Sequence, residues 1–89
     1  MLYFCVMIDL EKYGFIGSDK EDWKLPNTGI RVIKHGNIFC FLHKNEDGYF
    51  ITLIRDIEIT THEDFRWIVR HCPSLEDIAI NVPSLQFYE

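Results

Sequence analysis

Cysteine, proline and basic charge are all scarce in this chain. Three cysteines among 89 residues, Cys5, Cys40 and Cys72, are an odd number at wide spacing. A small secreted domain held by disulfides would show four or more. The expected state is three reduced thiols packed as small hydrophobes. Lys and Arg total 9 against 14 Asp and Glu, for a formal charge of −5. That balance argues against a general nucleic-acid binder, which carries a net basic footprint. No apolar run is long enough to span a bilayer. The apolar start, Met1 to Ile8, lacks the basic n-region and small-residue cleavage site of a signal peptide. A cytoplasmic location without membrane contact is the expectation. None of the five glycines falls into GxGxxG or GxxxxGK[ST], so phosphate-cradling chemistry lacks its main part.

What is present is aromatic and apolar. Hydrophobic residues make up 47% of the chain and aromatics 15%, seven of them Phe. A chain this short buries only about 60–65% of its unfolded surface. Large rings compensate, because each removes much apolar area from water. One domain over residues 1–89 follows from the length.

Leu2 to Ile8 is a continuous apolar run and reads as a buried strand. Residues 9–22 are acidic, with glycines at 14 and 17, and read as a loop or short edge strand. Two apolar runs, Ile30–His35 and Ile38–Lys44, flank Gly36-Asn37, a hairpin signal. Asn45–Gly48 reads as a four-residue second hairpin loop, and Tyr49 to Thr60 as the third strand. Those turn lengths pair Phe39 with Lys34 and Phe41 with Val32 on one side, and Phe41 with Thr52 and Phe39 with Ile54 on the other. One sheet face then holds Ile30, Val32, Phe39, Phe41, Phe50 and Ile54, and the other Ile33, Ile38, Cys40, Leu42, Ile51 and Leu53. Both faces are apolar at the centre, so the sheet needs cover on each side.

One cover is legible. Thr60-Thr61-His62-Glu63 reads as a capping box with Glu63 as its acid. Phe65, Ile68, Val69 and Cys72 follow on one helical stripe, and Pro73 ends it. Beyond, Ser74–Asp77 caps a second short helix, or Ile78–Val82 is a strand. The expected fold is α+β: an antiparallel meander of three to four strands with one main helix on one face. A weaker pattern competes at the end of the chain. Ile54-x-x-Ile57-x-Ile59 and Leu75-x-x-Ile78-x-Ile80 are related by a shift of 21 residues, and Cys72-Pro73-Ser74-Leu75 resembles the helix-to-strand joint of leucine-rich repeats. That resemblance implies an incomplete repeat fragment with a strand near Ile78.

Chemistry-bearing sets are few. Cys40-x-x-His43 with His71-Cys72 has the residue types of a zinc site. However, residues three apart on a strand face opposite sides, and helix neighbours diverge by about 100°. No metal or cofactor is therefore expected. Cys72 beside His71 sits at a helix C-terminus, where the dipole disfavours a thiolate. The acid pairs Glu46-Asp47, Glu63-Asp64 and Glu76-Asp77 suit a turn and two helix starts. No enzyme activity is expected.

The leftover surface is the outer side of the 61–72 helix. Arg66 and Arg70 share a row there, beside Trp67 and His71, and Trp with Arg is a composition typical of binding hot spots. A second candidate is the acidic loop with Tyr13, Phe15, Asp19, Asp22 and Trp23. Protein binding is the leading expectation: a small adaptor or inhibitor, in general profile like those of phages and mobile elements, occupying a surface of a larger protein. A homodimer through the uncovered sheet face is the alternative cover. The rival reading is nucleic-acid binding through the hairpin Arg31, Lys34, His35 and Lys44, with Phe39 or Phe41 as stacking platforms.

Overall fold

A computed structural model describes residues 8–17 and 21–81, with side chains through Ile78. The chain is an α+β arrangement whose strands pair strictly in sequence order. A 3-10 turn, Leu10–Tyr13, leads into β1 (Ile16–Gly17) and β2 (Asp22–Lys24). The meander continues through β3 (Ile30–His35), β4 (Ile38–Lys44) and β5 (Phe50–Glu58). Then come α1 (His62–His71), a 3-10 turn over Pro73–Leu75, and α2 (Glu76–Asn81). The five-stranded sheet has the order β1-β2-β3-β4-β5, all antiparallel, so among the described residues β5 is an open edge. The expected meander is extended by two short strands from the acidic segment. The expected strand Leu2–Ile8 lies outside the described residues except for Ile8, which is buried and not in a strand.

The first hairpin has the expected register: Lys34 opposes Phe39, Ile33 opposes Cys40 and Val32 opposes Phe41. Gly36 takes φ +61° at the first central position, the residue and place that a II′-type turn requires. The second hairpin does not have the expected register. Asn45 N–H donates to Tyr49 C=O at 2.7 Å, so the loop proper is only Glu46–Gly48. Gly48 closes it at φ +91°, and the Asn45 side chain accepts from both Asp47 and Tyr49 N–H. This is a tight turn followed by a left-handed residue, the three-residue alternative to the longer loop. Lys44 therefore opposes Phe50, and Phe50 falls on the face opposite Phe41.

Two bulges then restore the apolar alternation. Leu42 opposes Thr52 but Phe41 opposes Ile54, and Phe39 opposes Ile57. Each shift adds one residue to β5: the first brings Ile54 to the helix side opposite Phe41, and the second sets Ile57 opposite Phe39. The second bulge contains Asp56 at φ +54°, a conformation that Asp tolerates better than most residues. Asp56 N–H points to the Cys40 sulfur at 3.5 Å. The equal apolarity expected of the two faces is thereby corrected. The helix side holds Ile30, Val32, Phe39 and Phe41, each at most 1% exposed. The outer side mixes half-buried Ile33, Cys40 and Leu42 with the Arg31–Asp22 pair, and Phe50 lies beneath Arg31 and Lys44.

The helix side is roofed by α1. Thr61 is its N-cap, accepting the Asp64 amide at 3.0 Å, so the cap sits one residue later than the expected box and Asp64, not Glu63, is the third residue. Phe65, Ile68 and Val69 turn inward as expected, and Cys72 packs partly buried against the same core. Phe65 is fully buried among Tyr13, Phe39 and Phe41, with ring centroids 4.5, 6.4 and 6.1 Å away. Leu75 and Ile78 finish the roof at 0% exposure. Because Ile78 lies in helix α2, the strand demanded by the leucine-rich-repeat resemblance is not formed; Pro73 starts a 3-10 turn that continues as helix.

Phe65→Ala is expected to cost about 3–5 kcal/mol, since it empties the centre of this cluster. Phe65→Leu keeps most of the volume and is expected to cost about 1 kcal/mol. Urea denaturation followed by circular dichroism measures both, and equal losses for the two variants would refute a central role for the ring.

Candidate functional site

The expected surface residues divide sharply once placed. Tyr13 and Phe15 are only 3% and 2% exposed, so neither is available to a partner. This corrects their assignment as docking residues: the acidic segment folds inward, because its rings supply core that so short a chain otherwise lacks. Tyr13 Oη and His62 Nδ1 share a hydrogen bond that ties the first 3-10 turn to the start of α1. Trp23 opposes Val32 on the helix side and packs half-buried against the core. It lies directly over Gly17, where an added Cβ would meet the indole at 2.8 Å. Glycine is needed there for this close approach.

The basic hairpin is equally divided. Arg31 reaches Asp22 through two hydrogen bonds of 2.8 and 2.6 Å, a bidentate pair across β2 and β3. The guanidinium holds the Asp22 carboxyl below the ordinary carboxylate range. Lys34 is on the helix side and 8% exposed, with its ammonium 5.8 Å from the centre of the Phe39 ring. Its placement as a surface cation is corrected by the hairpin register, which aligns it with Phe39. Phe39 and Phe41 have 0% exposure and are closed to base stacking. His35 meets Glu21 at 3.2 Å, and Lys44 is exposed over the Phe50 ring.

Cys40 and His43 lie on opposite faces of β4, since they oppose Ile33 and Ile30 respectively. Among the described residues no group of three or more His, Cys, Asp or Glu is placed to hold a metal ion. No helix of the described residues is long and apolar enough to cross a membrane.

The outer side of α1 is where exposed chemistry remains. Trp67 is 58% exposed. His71, one turn on, stacks on the indole with ring centroids 4.0 Å apart and planes 19° from parallel. His71 Nδ1 lies 2.8 Å from the Trp67 carbonyl oxygen, which can only accept, so Nδ1 carries the proton of this bond. The indole is thus fixed on the helix with one face covered. Arg66 is drawn back to Glu63 at 3.4 Å, and Arg70 is exposed at the far end of the same row.

Between Trp67 and the β5 edge opens a groove of about 240 Å³, walled by Ile57, Glu58, Ile59, Asp64, Trp67 and Ile68. Sequence reasoning found Trp67 but missed the groove, because Ile57 and Glu58 of β5 and the following Ile59 reach it only through the two bulges. Backbone geometry adds to the site. Ile59 N–H donates to Asn37 C=O at 2.8 Å, so Ile59 is bonded inward. The preceding residue, Glu58, opposes Ile38 and turns its N–H and C=O toward the open edge. The groove therefore combines an apolar floor, an aromatic wall, the Asp64 carboxylate and strand backbone. The chain matches no protein-family model, no curated protein and no solved structure.

Burial raises the Tyr13 hydroxyl pKa from 10.0 to about 12; Arg66 opposes that shift and Asp9 adds to it. In the unfolded chain Tyr13 ionises first, so its contribution to stability is complete below pH 10 and is lost as pH rises toward 12. Urea midpoints measured across that window are expected to fall more steeply for the native chain than for Tyr13→Phe. Parallel curves for the two proteins would contradict this placement of Tyr13.

Proposed function

We propose that this chain is a protein-binding module, an adaptor or inhibitor that works by occupying a surface of a larger partner, with Trp67 of α1 as the anchor. The observation that carries this reading is the exposure of Trp67 beside a groove while the other aromatic residue of α1, Phe65, is fully buried. A tryptophan left 58% exposed in a chain short of core is a cost to the isolated molecule, and a partner that covers it recovers that apolar area. His71 stacking supports the same reading, because a ring already fixed loses little freedom on binding.

The nucleic-acid reading draws less support from the geometry. Of its four cations, Arg31 is held by Asp22 and Lys34 is buried, and both proposed stacking rings are closed. A homodimer through the outer sheet face likewise meets a surface where charged groups border the apolar centre.

Affinity capture from native-host lysate tests the proposal with three baits: the native chain, Trp67→Ala, and Arg31→Glu with Lys44→Glu. A protein retained by the native and double-charge baits and lost from Trp67→Ala is the expected outcome. Trp67→Ala should change the unfolding free energy by less than about 1 kcal/mol, as an exposed position does. Nucleic acid captured in a Lys44-dependent and salt-sensitive manner would replace this reading with its rival.

A further inference from the structure

The groove beside Trp67 has a composition more specific than an apolar slot. Its floor is aliphatic: Ile59 and Ile68 are 0% and 8% exposed and Ile57 is half-buried. Its wall is the indole of Trp67, and Glu58 and Asp64 stand at its margin. Among the described residues the Asp64 carboxylate meets only the Thr60 hydroxyl, at 3.4 Å, and Glu58 has no cation partner. The whole chain carries a formal charge of −5. What is missing from the groove is a positive charge on an apolar stem.

Resting on the protein-binding reading above, we propose that the groove takes a Lys or Arg side chain presented by an extended basic segment of the partner protein. The methylene stem of such a side chain suits the isoleucine floor, as long cationic residues lay their stems along apolar surface. Its head meets the indole face left open by His71 and the carboxylate of Asp64, combining cation–π attraction with ion pairing. The outward N–H and C=O of Glu58 are placed to pair with the backbone of an extended segment, so a strand laid on the edge delivers its side chain to the groove. The two bulges of β5 limit such pairing to a short stretch and disfavour edge-to-edge association of two copies of this chain. Specificity in this site therefore comes from one side chain.

Titration of the full 15N-labelled chain tests this with three blocked pentapeptides, Ser-Val-X-Val-Ser, where X is arginine, norleucine or glutamate. The arginine peptide is expected to shift the Trp67 indole N–H and the amides of residues 57–59 saturably. Norleucine is expected to bind about fivefold more weakly or worse, the scale of an exposed cation–π contact. Asp64→Asn, which changes charge but not shape, is expected to weaken the arginine peptide and leave norleucine unchanged. Equal binding of arginine and norleucine overturns the cationic occupant, as does saturable binding centred elsewhere. So does the absence of any shift up to about 10 mM, the weak end of measurable affinity. Capture that depends on Trp67 while the arginine peptide fails would overturn this inference alone and leave protein binding standing. Failure of both would remove both.

Discussion

The fold depends on the seating of one ring. Phe65 enters a cluster formed by Tyr13 from the first 3-10 turn and by Phe39 and Phe41 from β4. Three otherwise separate pieces of chain are joined there: the acidic segment, the sheet and α1. Aromatic residues suit this task in a short chain, since each buries a large area without a long sequence. The rotational setting of α1 follows. With Phe65, Ile68 and Val69 inward, the helical period leaves Trp67 and His71 outside. Exposure of Trp67 is thus a consequence of Phe65 burial, not an independent feature.

The second constraint is the pair of bulges in β5. A regular β5 leaving the tight Glu46–Gly48 turn would have carried the wrong residues to the helix side, because one residue of slip exchanges the faces. The first added residue brings Ile54 against the core, and the second sets Ile57 opposite Phe39 within it. The correction has a further effect. Bulged strands bend and twist, and here the bent end of β5 passes into Ile59 and the N-cap of α1. The groove is formed between that bent end and the helix. The same device therefore repairs the core pattern and shapes the groove beside Trp67.

Most of the architecture was legible because it is set by local signals. Gly36-Asn37 declared its turn, the stripe Phe65-Ile68-Val69 declared its helix face, and Pro73 declared its end. Failures occurred where two local solutions were close in energy. Asn45–Gly48 supports a three- or four-residue loop, and the Asn45 side chain, bonding two amides, decides for the shorter. Thr60 and Thr61 are both cap residues, and the choice between them moved the box by one. For the site, type was readable and burial was not. Trp67, Tyr13, Phe15 and Trp23 look alike as exposed aromatic candidates in sequence. Only the fold separates them, because core demand in so small a molecule is satisfied by residues distant along the chain. Lys34 shows the same limit: an alternating strand pattern places it inward, but charge alone assigns it outward.

Charge placement completes the argument about what kind of surface this is. The cations of the β3–β4 hairpin are largely committed: Arg31 to Asp22, Lys34 to the Phe39 ring face, Lys44 over Phe50. The Asp64 carboxylate beside Trp67 is less so. With the hairpin cations committed in this way and Arg66 drawn to Glu63, the groove side of the exposed tryptophan is left bordered by a carboxylate and is complementary to a basic side chain. Screening at physiological salt confines that complementarity to roughly 8 Å. It therefore acts locally, at the groove. Net charge alone would give any acidic protein the same long-range attraction. The aliphatic floor and indole wall convert that general attraction into a requirement for one long cationic side chain at one place.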